Sequence, residues 1–516
     1  MDSGSVHLSG GTVYSLDDAL SASDSVTIRD GRVSALGETP EDGIRTLDLD
    51  GATVLPGFND AHTHVLWMGL YEHESDLSGI TSRAGALDAL ERNADGTPAG
   101  EWVLGFGYDD GPWDRGLDAA VLDGVTTAHP VAVQRVDGHS VALNTAALDR
   151  LDFDGVAGVE REDGKPTGIV VEAAAGRVQQ AIYPDRERAR TLLDAACRRA
   201  LELGITSMQD MAGLVTPAGP GDPMHAAFHA AWRAGSLPVR IGYYVHVDRH
   251  DALTTLELAP GFGDERLRVL GIKLFSDGSI GSRTAKLSGT FAEDPDADGQ
   301  FVVDRERLDA VFAAAARADQ HLAVHAIGDA AIERVLDAYA AVADSYDTPP
   351  PHLRIEHAEL ATDDHLRRMA DLSVLASMQP NFLQWAGPDG LYADRLGEQW
   401  QGRTNRFSTV LDRGIDLAFG SDTMPSGPLY GIHQAVTAPA PAQRLAVETA
   451  IRAYTQGGAV AEGAADWKGT LEPGMVGDAV VLDRDPFDEP TAIDEIDVLA
   501  TVVDGTVAFR REGWPA

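Results

Sequence analysis

A chain of 516 residues, 44% of them hydrophobic, exceeds one ordinary domain and suits a large core with satellite parts. Its 81 acidic and 41 basic residues leave a formal net charge of −40, which repels nucleic acid and anionic membranes alike. No apolar run reaches the roughly 18 residues that cross a bilayer, and the single cysteine, Cys197, excludes an intrachain disulfide framework and a cysteine-rich zinc site.

The N-terminus, Met1-Asp2-Ser3-Gly4-Ser5, lacks the basic start and apolar stretch of a secretory leader, so the expected location is the cytoplasm. Residues 25–33 then alternate apolar and polar side chains around Asp30-Gly31, a hairpin pattern. The same pattern returns around Asp504-Gly505, after a further strand at 478–482. Residues 1–56 and 469–516 are therefore expected to build one small β-sandwich from both termini.

Between them, strand and helix patterns alternate, which predicts a parallel sheet closed by helices. Eight short apolar runs suit barrel strands: 57–62, 205–210, 241–246, 269–275, 322–325, 353–357, 373–378 and 417–422. The gap between the first two is too long for one crossover helix and holds its own strand-like runs at 102–106 and 131–135. The expected fold is α/β: a (β/α)8 TIM barrel over 57–71 and 181–468, with an inserted α+β subdomain over 72–180. The insertion leaves after the first strand, at the end where barrels carry their active sites, and could roof the site.

The chemistry gathers at those strand ends. His62 and His64 lie two apart on a strand and so aim two imidazoles the same way. His325 ends the fifth strand, His357 the sixth and Asp422 the eighth, and the carboxyl ends of barrel strands converge. Singly, each has a bland reading as a core histidine or a helix cap; together they form a candidate metal site. Lys273 sits inside an apolar strand in a chain with only four lysines. A buried lysine that loses its proton can take up carbon dioxide to form a carbamate ligand; the alternative is an unmodified lysine paired with Asp277 or with substrate. His139 could reach substrate from the insertion or serve as a structural loop histidine. Trp113 and Trp385 could line an apolar substrate pocket or belong to the core.

In order, Gly57-Phe58-Asn59-Asp60-Ala61-His62-Thr63-His64, Lys273, His325, His357 and Gly420-Ser421-Asp422 resemble the amidohydrolase superfamily. The stretches 273–284, 325–329, 102–107 and Asp137-Gly138-His139-Ser140 resemble its amidohydrolase-3 group, the YtcJ-like proteins that include N-substituted formamide deformylase. The resemblance covers nearly the whole chain. It implies two divalent ions, usually zinc: His62 and His64 on the buried ion, Lys273 as a bridging carbamate, and His325 and His357 on the outer ion. Asp422 would touch metal and act as the catalytic base. Asn59 stands where the group often has isoleucine and Ala330 where arginine is common; neither removes a ligand.

The resemblance implies hydrolysis of a non-peptide carbon–nitrogen bond, in an amide or formamide, with a small-molecule substrate; a homo-oligomer is compatible with it. The rivals are a mononuclear deaminase or cyclic-amide hydrolase on the same barrel, and a non-enzymatic regulator. The acid excess and lysine scarcity resemble proteins of extreme halophiles.

Overall fold

The computed structural model describes residues 4–514 apart from Glu41, Pro112, Asp137, 214–220, Glu293, 344–351 and the side chain of Glu398. Asp137, part of the motif around His139, thus lies outside the described residues. All eight expected barrel strands form, as Phe58–Thr63, Ile205–Asp210, Arg240–His246, Leu267–Phe275, Leu322–Ala326, Leu353–His357, Leu375–Met378 and Leu417–Phe419. They pair in parallel in chain order from the first to the eighth. Both faces of these strands are covered, which is why they read as near-continuous apolar runs.

No ladder joins the eighth strand to the first among the described residues. The seam closes instead through the Asp422 N–H, which donates to the His62 carbonyl at 2.7 Å. Gly420 permits that approach: a Cβ there would stand 2.3 Å from the His62 nitrogen. Two predicted strand limits shift for backbone reasons. The seventh starts at Leu375 because Ser373 takes a left-handed φ of 55° just after the preceding helix. The eighth stops at Phe419, and Asp422 and Thr423 turn out of it at φ 52° and 65°.

The strands of both termini share a second eight-stranded sheet, joined where Thr53–Pro56 pairs antiparallel with Ala479–Leu482. Its ladder is continuous and branched, because Val6–Tyr14 bulges at Gly10-Gly11 and passes from Arg45–Asp48 to Thr53–Pro56 along one edge. Both Asp-Gly hairpins form, with positive φ at Asp30, Gly31, Asp504 and Gly505 as a two-residue turn of that type requires. The segment after the first barrel strand carries a six-stranded sheet with its own apolar core. Trp113 belongs to that core: it stacks on Tyr108 and donates its indole N–H to the Ile80 carbonyl at 3.2 Å. It is therefore a packing residue of the insertion and not a wall of a substrate pocket. Among the described residues no helix is long and apolar enough to cross a membrane.

Candidate metal centre

His62 lies one residue before the end of the first strand with its ring fully buried. Its Nδ1–H donates to Glu356 at 2.5 Å, which leaves Nε2 facing Asp422 Oδ1 at 3.5 Å with no hydrogen bond. His64 donates Nδ1–H to the Met211 carbonyl at 2.5 Å and holds Nε2 3.1 Å from the same Asp422 oxygen. A carboxylate or carbonyl behind each imidazole fixes its tautomer and turns the other nitrogen toward the centre.

The other strands complete the ring of donors. The His357 ring lies 4.9 Å from that of His62 and 4.6 Å from that of His325, and its Nδ1 has no partner. His325 donates Nε2–H to the Gly278 carbonyl at 3.0 Å. Lys273 pairs in register with Ala323, two residues before His325, so it stands one layer deeper in the barrel. Its Nζ is fully buried, has no hydrogen-bond partner and lies 4.8 Å over the Phe275 ring. Ligand atoms of His62, His357 and Asp422 all fall within 4.8 Å of one another. His357 and Asp422 hold positive φ, 73° and 52°, a strained backbone of the kind that gathers at functional sites.

Burial sets the protonation of the group. It holds the His62, His325 and His357 imidazoles well below their usual pKa, hence neutral, the form that binds metal. It also pushes the Lys273 ammonium down to about 8, against the pull of the Glu356 and Asp422 carboxylates. The alternative pairing of Lys273 with Asp277 is not formed. Asp277 instead accepts the backbone N–H groups of Ile327 at 3.1 Å and of Gly328 and Lys286 at 2.8 Å, and so anchors two loops.

His139 makes a structural hydrogen bond and also lies beside the candidate centre. Its Nδ1–H donates to Glu172 at 3.0 Å, and its ring sits 5.6 Å from that of His325, so the insertion brings an imidazole to the barrel mouth. Trp385, in the turn after the seventh strand, stands 5.1 Å from Phe382 on the wall of the same mouth.

Several residues behind the ligands were not singled out from the sequence. Arg354 donates to both oxygens of Glu356, to Gln209, to the Ala61 carbonyl at 2.6 Å and to Ser377 Oγ at 2.7 Å. It thereby fixes the carboxylate that orients His62. Asp60 accepts Ser421 N–H at 2.9 Å and Ser421 O–H at 2.5 Å, binding the two strands of the seam. The signal was present: two charges two apart inside an apolar run, Arg354 and Glu356, can only point together into the barrel.

With this geometry in place, comparison with known proteins settles the lineage. The amidohydrolase family profile matches residues 45–509. The chain belongs to the amidohydrolase family. It is 28% identical to the YtcJ protein of Bacillus subtilis, over 97% of this chain and 99% of that one. It is also 28% identical to an N-substituted formamide deformylase of Arthrobacter pascens, over 97% of each. Among solved structures, an uncharacterized metal-dependent hydrolase of Pyrococcus horikoshii aligns with a TM-score of 0.76 and 28% identity, over 94% of this chain and 98% of that one. The amidohydrolase match thus spans the barrel and the part of the terminal sheet from Arg45 onward.

Proposed function

We propose that this amidohydrolase is metal-dependent and hydrolyses a carbon–nitrogen bond other than a peptide bond, in an amide or an N-substituted formamide. The observation that carries the reading is the convergence of four buried polar atoms without hydrogen-bond partners: His62 Nε2, Lys273 Nζ, His357 Nδ1 and Asp422 Oδ1. Each such atom costs about 1–3 kcal/mol if left unmet, so four in one place call for a common partner. Neutral imidazoles and a carboxylate are the donors that zinc and similar ions take. His62 and His64 would hold one ion and His325 and His357 a second. Lys273, once carboxylated, would add an anionic oxygen ligand between them. Asp422 would serve as both ligand and base. The deformylase relative supports the formamide class.

Bound divalent ions supply an acidified water and a polarised substrate carbonyl. The chain's own residues do the remainder. Asp422 accepts the proton of the attacking water at a carboxylate oxygen and returns it to the leaving nitrogen. Glu356, held by Arg354, keeps the His62 ring aimed. His139, held by Glu172, contacts the substrate from the roof, and the insertion around it limits the entry of further water.

A second reading is a single ion on His62, His357 and Asp422, with Lys273 left as an amine, as in a deaminase or cyclic-amide hydrolase; the close grouping of those three residues favours it. Metal per chain, measured beside a screen of amides, formamides, lactams and carbamates in high salt, tests both. About two ions with amide or formamide turnover supports the first reading, and about one ion the second. Metal-free protein with no turnover contradicts both.

A further inference from the structure

The helices that link the barrel strands differ in length. Pro223–Arg233, between the second and third strands, has 11 residues, and Arg305–Arg317, between the fourth and fifth, has 13. Between the third and fourth, a 3-10 turn leads into His250–Leu256, of only seven residues, and the chain then reaches Leu267 without a further helix or strand. The outer faces of the third and fourth strands are therefore covered incompletely. Tyr243, Leu267 and Val269 point away from the barrel interior, where Tyr244 and Leu270 pack, and floor a cavity of about 470 Å³. Small-molecule sites span about 300–1,000 Å³, so this one is of ligand size. It shares no lining residue with the cavities at the candidate centre.

The walls suit an apolar body with an anionic head. Ala226 and Ala230, four apart on Pro223–Arg233, present only methyl groups and leave the space open. Trp232 and Phe262 flank it and stay 38% and 60% exposed. The neutral polar groups are met: His229 Nε2 and the Tyr243 hydroxyl lie 2.8 Å apart, and the Trp232 indole N–H donates to Asp264 at 2.8 Å. The charges are not. The chain has 81 acidic residues, yet none lines this cavity, whereas Arg186, Arg190 and Arg233 do. Among the described residues no carboxylate pairs with any of the three. Arg233 uses only its Nε, on the His229 carbonyl of its own helix at 3.3 Å. Arg186 and Arg190 stand four apart on the helix Arg186–Glu202, where like charges repel; elsewhere that spacing holds Arg305 with Asp309 and Arg367 with Asp371. An oxyanion relieves the repulsion, and the guanidinium fork matches its oxygens with paired N–H groups. A second copy of this chain is the poorer occupant, because across a two-fold contact the arginines would face one another.

We propose that this cavity on the outside of the barrel binds a small organic anion, with a ring-sized apolar body beside Trp232 and Phe262 and an oxyanion head, carboxylate or phosphate, held by the arginine group. It is separate from the candidate metal centre and stands whether or not the hydrolase reading holds.

Calorimetric titration of the full chain with 1-naphthoate, 1-naphthyl phosphate and 1-naphthylmethylamine tests it. At least one of the two anions is expected to bind with a Kd of about 0.1 mM or below, and the amine at least about tenfold more weakly. The triple variant Arg186→Gln/Arg190→Gln/Arg233→Gln should weaken the anion at least about tenfold. Ala230→Phe, which fills the space, should do the same, and melting temperatures of both variants check the fold. Neither variant touches the candidate centre, so an anion held there would bind both as tightly as wild type. Absence of anion binding, equal binding of the amine, or undiminished binding in either folded variant overturns the site. Sedimentation equilibrium of wild type and Phe262→Asp is expected to give the same mass. An oligomer that this substitution disperses would assign the face to a second copy and overturn the ligand site.

Discussion

Two buried lysines at opposite ends of the barrel show what a satisfied polar cluster looks like in this chain. Below the strands, Lys468 donates to Ser207 at 2.6 Å and pairs with Glu462. Beside it, Arg240 grips both oxygens of Asp478, at 2.7 and 2.9 Å, and also reaches Asp504. At the mouth, Lys273 is equally inaccessible and has no hydrogen bond. Lys468 and Arg240 are thus paired where the barrel meets the terminal sheet, whereas Lys273 is unpaired where the strands end. An unpaired buried charge is costly, so the contrast marks the mouth as built for a ligand and the floor as built for cohesion.

The contrast breaks most sharply at Asp422. Asp422→Asn keeps the shape and one oxygen but cannot exchange a proton, so kcat should fall by about 10²–10⁴-fold with metal still bound and the fold intact. Steady-state kinetics and metal analysis of the variant check this; near-normal kcat would move the proton shuttle elsewhere.

The lysines come next. Lys468→Met leaves Glu462 buried without its cation and should cost about 3–5 kcal/mol in denaturant unfolding, with metal content unchanged. Lys273→Met removes a charge that nothing pairs, so the apo protein should hold or gain stability while metal binding and activity fall. Equal destabilisation by the two substitutions would erase the distinction between floor and mouth.

Acidity should separate the two regions with opposite signs. Burial pushes Asp210 up to about 7 and Asp60 up to about 6, whereas an unfolded aspartate titrates near about 3.9. Their contribution to stability is therefore present below about pH 4 and is lost as pH rises toward 6–7. Asp478 is the reverse: burial pushes it up, but Arg240 outweighs burial and holds it below the usual range. Its contribution is present above about pH 4 and is lost on further acidification. Denaturant midpoints of metal-free protein across pH should show both limbs, and Asp210→Asn should flatten only the upper one.

The smallest effect per group is on the surface. At net −40, raising potassium chloride from about 0.1 to 1 M shortens the Debye length from about 10 to 3 Å and should raise the melting temperature by relieving self-repulsion. A flat response would remove the proposed halophilic character and leave the site untouched.

How far the sequence could be read follows the same division. The eight strands were legible because each is a short apolar run, and the candidate ligands because each polar residue interrupts or ends such a run. His62, His325 and His357 were visible one strand at a time. Arg354 and Glu356 act through neighbours on three other strands, Ala61 and His62 on the first, Gln209 on the second and Ser377 on the seventh, and that adjacency exists only once the barrel closes. For Trp113 the sequence left pocket wall and core both open, because the fold-back of its indole onto Ile80 is visible only in three dimensions.

The central claim, that the unpaired atoms at the mouth are metal ligands, is tested most directly by elemental analysis of protein purified without chelator, wild type beside His357→Ala. About two equivalents of divalent metal per wild-type chain are expected, falling to less than about half of that in the variant. Trace metal in the wild type, or an undiminished content in His357→Ala, would contradict the account.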